Sequence, residues 1–398
     1  MLTLKYSIRK EKLKLLKAVK LRIYPNQTQR EQIDITINHC RYVWNTMLDM
    51  QIKRYESNKN AKFINTFGMN ILLTTLKQEQ KWLKEADATS LQETNAQLND
   101  SFKSFFKKLS GFPNFKSRKS TRKSYTSKMN MAIVDDKHIK IAKLGTIHFR
   151  NKVLPTGKLK RVTISISATG KYYAMALFET SVEPFSKTNS FVGLDFGLTH
   201  LAIQSNDYKL PNIRFDKELA KKKNYWEKKL ARRRLRALSI IHEQKKLGRY
   251  LDLPDFSNYM KAKYNVAKIN EKIANQRNDY LQKYTTKLVK AYDIIAIEDL
   301  KSSNMLKNHK LARAIANASW RKLRTMLEYK SKWYGKRLLV VDPRYTTQVD
   351  NETGEIKKHP LSVRTYVNSL GHVVDRDINA SKNILQWAIY PETRITKA

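Results

Sequence analysis

Residues 191–200 read FVGLDFGLTH, a short apolar run that stops at an acid. The apolar residues up to Leu194 favour a buried strand, and Gly197 marks a turn from which a second stretch continues to Ala202. The pattern places Asp195 where the strand ends, at the edge of its sheet. Because a carboxylate in such a place is costly unless a cation neutralises it, this stretch predicts an α/β domain that carries a functional acid.

Two further acids occupy comparable positions. Glu298 ends the run DIIAIE at 293–298, and Asp377 lies in DRDINASKNI at 375–384, from which Asn379 leads into a helix. Three carboxylates at one sheet edge would repel each other unless they bound divalent cations, and hard oxygen ligands suit Mg²⁺ or Mn²⁺. Two such ions can activate water and stabilise the leaving oxygen in phosphodiester hydrolysis.

Taken singly, each acid has a second interpretation. Asp195 could be a turn residue, Glu298 could form an ion pair with a lysine, and Asp377 could be the N-cap of the helix that follows it. The spacing of any one acid leaves these alternatives open. The three acids together are a more specific signal than any one of them.

The composition points to a polyanionic partner. The chain has 398 residues, with 78 Lys or Arg against 35 Asp or Glu and a formal net charge of +43. A single basic amphipathic helix would suit a membrane surface, whereas cations in every third of the sequence suit nucleic acid. Most of the 14 Phe, 20 Tyr and 6 Trp are expected in cores, including Tyr42, Trp44 and Trp82.

The length predicts two or three domains at about 100–200 residues each. No run of about 18 apolar residues is present and the first residues lack an apolar signal core, so we expect a cytoplasmic protein. The single cysteine, Cys40, excludes an intramolecular disulfide and a zinc site built on paired cysteines, and we expect a buried thiol. None of the 8 histidines has metal-ligand spacing to another, and His200 is interpreted as structural.

Periodicity divides the chain into a helical region, a region of short strands and, from about residue 191, a region in which strands and helices alternate. Asn26 is a predicted N-cap with Gln29 three residues later, which opens a helical region. A cationic loop follows residues 111–115. Helices are predicted over about 27–47, 71–82, 91–109, 217–242, 265–290 and 311–334, and strands over 18–23, 138–142, 146–149, 162–166, 172–178, 192–202, 294–297 and 338–341. The early strands suit a small β-barrel.

Over essentially its full length the chain resembles the TnpB family, which are transposon-encoded RNA-guided nucleases related to compact type V CRISPR effectors. The stretches GLDFG at 193–197, IEDL at 297–300 and DRDINA at 375–380 resemble the three RuvC motifs of that family. Other matching stretches are KLRIYP at 20–25, CRYVWN at 40–45, FKSFFK at 102–107, GFPNFK at 111–116, ASWR at 318–321 and LEYKSKWYG at 327–335.

The resemblance implies a multidomain α+β protein that cuts DNA with an RNase H-like RuvC domain. Asp195, Glu298 and Asp377 would hold two Mg²⁺ ions. The implied domains are a discontinuous wedge β-barrel at 1–24 and 111–189, a helical recognition lobe at 25–110, the RuvC nuclease domain at 190–343 and 373–398, and a target-nucleic-acid-binding insertion at 344–372. Expected partners are a transposon-derived guide RNA and target double-stranded DNA, without a membrane, with one monomer on one RNA.

The insertion departs from the family pattern, which places a four-cysteine zinc ribbon there. All four ligand positions are replaced, by Asp350, Thr353, Val367 and Leu370. We therefore expect no structural zinc in this degenerate zinc-ribbon-like insertion, and we expect Val367 and Leu370 to form a small apolar contact.

Cationic and polar residues supply the predicted nucleic-acid contacts. Phosphate contacts are expected from Arg232, Arg233, Arg234, Arg236, Lys116, Arg118, Lys119, Arg122 and Lys123, each of which could instead lie on a solvated face. By position in the family, Asn70, Gln92, Thr126 and Ser127 are expected near the target-adjacent motif.

Three competing functions are separable. A nuclease-inactive RNA-guided repressor would lack the RuvC acids, and all three acids are present. A compact CRISPR effector would be encoded beside a repeat array rather than a transposon end. A transposase that joins DNA ends would carry a tyrosine nucleophile with paired histidines, and that signature is absent from the sequence.

Overall fold

The computed structural model describes residues 14–120, 123–300, 312, 315, 318–360 and 363–394. The chain divides between Ser181 and Val182 into two compact units, here called unit one and unit two. Each unit has its own cluster of buried apolar side chains. Among the described residues, no helix is long and apolar enough to cross a membrane.

Three α-helices lie in the described part of unit one. They are α1 (Gln27–Ser57), α2 (Thr66–Glu79) and α3 (Ala88–Phe106), and a 3₁₀ turn at Lys81–Glu85 follows α2. Asn26 and Gln29 form the predicted capping box at the start of α1. Asp87 caps α3 through the amide of Thr89. These polar caps satisfy amides that the first helical turn leaves without carbonyl partners.

Seven strands are found in residues 14–120 and 123–181 of unit one. They are β1 (Lys14–Ile23), β2 (Lys123–Ser127), β3 (Ala132–Ile133), β4 (His138–Ile141), β5 (Gly145–His148), β6 (Lys158–Ile166) and β7 (Tyr172–Ser181). One sheet has the order β1-β7-β6-β2 and the other the order β3-β4-β5. A single bridge between Ile23 and Phe149 connects them. Within the described residues of this unit the strands form these two open sheets, not the closed barrel that the sequence suggested.

Buried apolar side chains from the helices and both sheets of unit one share one core. Cys40 is 6% exposed and Trp44 7%, as predicted. Burial raises the pKa of the Cys40 thiol to about 11, which makes it inert at neutral pH. Tyr42 packs against this core, whereas Trp82 is 36% exposed and contacts Tyr42 edge to face.

A five-stranded sheet lies at the centre of unit two. Its strands are β8 (Phe191–Asp195), β9 (His200–Gln204), β10 (Lys209–Pro211), β11 (Ile294–Glu298) and β12 (Arg337–Val341), in the order β10-β9-β8-β11-β12. Strands β8, β11 and β12 run parallel, and β9 and β10 pair antiparallel. A separate hairpin pairs β13 (Thr365–Val367) with β14 (Val373–Asp375).

Among the described residues of unit two, five α-helices are assigned: α4 (Phe215–Glu218), α5 (Ala220–Lys246), α6 (Ser257–Ala291), α7 (Trp320–Tyr334) and α8 (Arg376–Ile389). Helices α5 and α6 pack along each other, and α8 packs on β8. Gly335, in the left-handed conformation at φ 67°, ends α7, which agrees with the predicted helix end at 334.

Most helices and strands were predicted from the sequence, but several predicted boundaries differ from those in the structure. Helix α6 begins at Ser257, earlier than the expected 265, and β2 lies where only a cationic loop was expected. The expected continuous helix over 311–334 is wrong at Ser319, which adopts the left-handed conformation at φ 56°, so that α7 begins only at Trp320. Residues 311, 313, 314, 316 and 317 lie outside the described part of the chain.

Candidate active site

Two of the three acids lie at the ends of neighbouring parallel strands. Leu194 of β8 pairs with Ile297 of β11, so Asp195 and Glu298 each stand one residue beyond the last matched pair. Since carboxyl ends of parallel strands meet at one sheet edge, the two side chains are neighbours there. Glu298 is 6% exposed, which excludes an exposed lysine ion pair as its role.

The third acid comes from the first turn of α8. Asp375 is the N-cap of this helix, since its Oδ1 accepts from the amides of Asp377 and Ile378 at 3.0 and 3.1 Å. Asp377 is therefore not the cap, which was the alternative interpretation of its spacing. Its carboxylate is left for other contacts at the same sheet edge.

Electrostatics connect the three carboxylates. Burial, then the neighbouring Glu298 carboxylate, then that of Asp377 raise the pKa of Asp195 well above its ordinary value. Burial raises the pKa of Glu298 to about 7, although the Thr346 hydroxyl opposes the shift. The side chains therefore favour a state in which a cation or a proton offsets their mutual repulsion.

Polar partners hold two of these acids. The Thr346 hydroxyl donates to Glu298 Oε1 at 2.5 Å. Asp377 lies 3.3 Å from the Arg364 guanidinium and 3.7 Å from that of Arg376. Arg364 precedes β13, so the insertion contributes a cation to this edge.

The donor set at this edge is the feature that decides whether a divalent metal ion fits. Within the described residues, no group of three or more His, Cys, Asp or Glu side chains is arranged to hold a metal ion. Arg364 contacts Asp377 in this arrangement. The three acids nevertheless supply only hard oxygen ligands, and the carboxylates of Glu298 and Asp377 help to raise the pKa of Asp195; such a donor set suits Mg²⁺.

The insertion holds hydrogen bonds at the replaced cysteine positions. Asp350 is 5% exposed and accepts from the Thr353 amide at 2.9 Å and from the Tyr366 hydroxyl at 2.8 Å. Val367 and Leu370 are 61% and 60% exposed. The expectation that they form an apolar contact is therefore wrong, because a polar network connects the two halves of the insertion instead.

The residues that were expected to contact phosphate differ in their exposure. Arg232, Arg234 and Arg236 are exposed on α5, while Arg233 is half-buried and donates to the Asn258 carbonyl at 2.7 Å. Lys116, Arg118, Lys119 and Lys123 are exposed, and Arg122 lies outside the described residues. The Lys116 ammonium stands 3.7 Å from the centroid of the Trp44 ring.

The four residues expected near the target-adjacent motif do not share one exposed surface. Gln92 is exposed, and Asn70 is half-buried with its Oδ1 accepting from Asn95 at 2.9 Å. Thr126 is 5% exposed and shares a hydrogen bond with Thr163, and Ser127 is fully buried and donates to Asp87 at 2.8 Å. Packing inside unit one explains the last two positions.

Sequence reasoning missed several residues around the site. Asn379 Nδ2 and Asn383 Nδ2 both donate to the Val349 carbonyl at 2.7 Å, which fastens the insertion to α8. Their spacing of four residues on one helix face was an available signal. Thr346 and Arg364 carried no such signal, because their contacts with Glu298 and Asp377 are distant in sequence.

Comparisons with known proteins agree with these observations. Residues 175–309 match a family model described as "Probable transposase" of the OrfB IS605 type, and 320–384 match one described as "Cas12f1-like, TNB domain". Residues 15–60 match a "Helix-turn-helix domain" model of the same OrfB type. Here they form β1 and one continuous helix.

Two relatives match along most of the chain. A protein of Streptomyces pristinaespiralis named RNA-guided DNA endonuclease is 32% identical over 93% of this chain and 88% of its own length. The RNA-guided DNA endonuclease InsQ of Escherichia coli K12 is 31% identical over 94% and 92%. A Cas12f1 chain, solved by cryo-EM with sgRNA and target DNA, shares the fold with a TM-score of 0.54 and 11% identity over 93% of this chain and 98% of that chain.

Proposed function

The chain belongs to the TnpB family, and from that premise we propose that it is an RNA-guided DNA endonuclease of a transposable element. One observation carries the proposal: the ends of β8 and β11 and the first turn of α8 present Asp195, Glu298 and Asp377 at one sheet edge. Base pairing of a guide RNA would select the target, and the protein would hold the duplex by its backbone.

The sheet order supports a RuvC nuclease domain of the RNase H type. Three antiparallel strands, β10, β9 and β8, followed by parallel β11 and β12, surround the candidate acids. We assign this domain to 190–343 and 373–398, with 344–372 as the target-nucleic-acid-binding insertion. In unit one, residues 25–110 would be the recognition lobe, and 1–24 with 111–189 the wedge.

The proposed mechanism depends on metal binding by the three acids and on the residues that position them. Asp195, Glu298 and Asp377 would hold Mg²⁺, which when bound would activate water and neutralise charge on the cut phosphodiester. Thr346 fixes the orientation of Glu298 through its hydroxyl. Glu298 is buried and Asp195 is half-buried, and these weakly solvated surroundings would strengthen their attraction for a cation.

The surface charge supports nucleic acid as the partner. The net charge is +43, and we assign phosphate contacts to the exposed cations Arg232, Arg234 and Arg236 of α5 and Lys116, Arg118, Lys119 and Lys123. We assign one guide RNA to one monomer. Of the four residues considered for the target-adjacent motif, only Gln92 and Asn70 retain accessible side chains for that role.

Replacement of Asp195 by Ala tests the proposal. The variant should lose detectable cleavage of guide-matched DNA in Mg²⁺ and should retain RNA and target binding, because the acid contributes to the chemical step. Asp279→Ala, which removes an exposed carboxylate paired with Lys283 on α6, is the matched control and should cut normally. Cutting by Asp195→Ala would disprove the catalytic assignment.

Binding without cleavage is the second candidate, as in an RNA-guided repressor. The retained acids disfavour it, and a wild-type chain that binds its target yet never cuts it in Mg²⁺ or Mn²⁺ would establish it. A CRISPR effector of the same chemistry would be distinguished by sequencing the RNA that co-purifies with the chain.

A further inference from the structure

We propose that a small pocket in the insertion binds one unpaired nucleobase of the DNA strand that enters the active site. This inference rests on the proposed function, since it takes DNA as the strand that reaches the acids. The pocket has a volume of about 250 Å³ and lies between the 348–357 segment and β13. Sites for drug-sized ligands measure about 300–1,000 Å³, so this volume suits a single flat ring.

Two aromatic side chains form one wall of the pocket. The rings of His359 and Tyr366 are stacked, with centroids 4.3 Å apart and planes inclined by 20°. The Tyr366 hydroxyl donates to the buried Asp350 carboxylate at 2.8 Å, which fixes the ring. A fixed aromatic wall is the surface on which an unpaired base stacks, at about 1–3 kcal/mol per base.

Other residues that line the pocket offer polar groups with no internal partner. Among the described residues, the side chains of Gln348, Glu355 and Lys357 line the pocket and make no hydrogen bond or ion pair. Asn368, by contrast, donates to Glu352 and accepts from two backbone amides. The Gln348 amide can both donate and accept, which matches the edge of a base that is not paired.

Two residues that line the pocket lie close in sequence to residues that contact the candidate catalytic acids. Gln348 lies two residues after Thr346, and the hydroxyl of Thr346 contacts Glu298 at 2.5 Å. Tyr366 lies two residues after Arg364, and the guanidinium of Arg364 lies 3.3 Å from the Asp377 carboxylate. Two residues of chain span at most about 7 Å. On the proposed function, a DNA strand whose phosphodiester lies at the acids would have a neighbouring base within reach of the pocket.

Photochemical crosslinking tests the proposal without any need for cleavage. The full chain carrying Asp195→Ala, with its co-purified RNA, is irradiated with a short single-stranded DNA that contains 5-iododeoxyuridine. We expect a crosslinked peptide that contains Tyr366 or His359. Gln348→Leu, which keeps the side-chain volume and removes the amide, should lower the yield about fivefold, as expected for one side-chain hydrogen bond.

Controls separate the pocket from folding and from nuclease function. Thr347→Leu, at an exposed neighbouring residue that does not line the pocket, should leave the yield unchanged, and both variants should melt like the parent chain. Absence of a crosslink in 357–372, an unchanged yield in Gln348→Leu, or preferential crosslinking of a matched 5-iodouridine RNA would each overturn the proposal. Cleavage by the wild-type chain without this crosslink would reject the pocket alone, whereas the crosslink without wild-type cleavage would reject the nuclease assignment.

Discussion

Gly193 of β8 lies directly beneath Ser381 of α8. A Cβ atom at Gly193 would lie 2.0 Å from the Ser381 carbonyl oxygen and 2.9 Å from the amide nitrogen of Leu385. Both are backbone atoms, which cannot rotate away. The absence of a side chain at residue 193 is therefore what lets α8 bring Asp377 to the sheet edge where Asp195 ends β8.

The first prediction follows from this contact. Gly193→Ala should destabilise the protein by about 3 kcal/mol, the upper end of the usual cost of overpacking, and should abolish cleavage because α8 is displaced. Differential scanning calorimetry measures the first effect. Gly111→Ala is the control, since a Cβ there meets nothing within 4 Å. Equal melting of the Gly193→Ala and wild-type chains would contradict the packing described.

The second prediction concerns a buried cation in α7. Lys330 is 4% exposed and donates to the Gln282 carbonyl at 2.8 Å and to the Thr285 and Thr286 hydroxyls at 2.7 Å. No carboxylate of the described residues pairs with it. Burial lowers its pKa from 10.5 to about 8, so the ammonium is held by dipoles alone.

The sign of the pH effect follows from this shift. Between pH 8 and 10.5 the unfolded chain keeps the Lys330 proton that the folded chain has lost, so folding stability gains with rising pH. The gain is on the order of 3 kcal/mol. Relative to Lys330→Met, the wild-type chain should therefore become more stable across this range in urea titrations. Lys332→Met, at an exposed residue of the same helix, should keep the wild-type slope, and a slope unchanged in Lys330→Met would contradict the prediction.

Local patterns predicted the fold where the determining contacts are local. The capping box of Asn26 and Gln29 depends on residues three apart, and Asp195 and Glu298 stand at strand ends because the apolar runs stop there. Strand β2 was missed because its partner, β6, is distant in sequence. The same pairing buries Thr126 and Ser127. In 375–377 two acids stand two residues apart, and only the backbone geometry assigns the cap to Asp375.

The third prediction concerns the insertion that lacks cysteines. Elemental analysis of the purified chain should find well below one zinc per chain, and a chelator should leave the melting temperature unchanged, because Asp350 is satisfied by hydrogen bonds. Asp350→Ala should lower the melting temperature, since it orphans the Tyr366 hydroxyl and the Thr353 amide. Glu355→Ala, which removes an exposed carboxylate of the same turn, is the control. Stoichiometric zinc would overturn this account.

The last prediction concerns Arg364, which contacts Asp377 from the insertion. The guanidinium lies 3.3 and 3.5 Å from the two carboxylate oxygens, and its side chain is 60% exposed. If Asp377 holds a metal ion as proposed, Arg364 would compete with that ion for the carboxylate, and a nucleic-acid phosphate would offer the guanidinium another partner. Exposed ion pairs contribute about 0.2–1 kcal/mol, so Arg364→Gln should tighten Mn²⁺ binding by up to about fivefold. Electron paramagnetic resonance titration of free Mn²⁺ measures this affinity without cleavage.

Lys358→Gln is the control, because it removes an exposed cation of the same insertion and should leave the affinity unchanged. Weaker Mn²⁺ binding in Arg364→Gln would show instead that Arg364 supports the metal-bound arrangement of the acids.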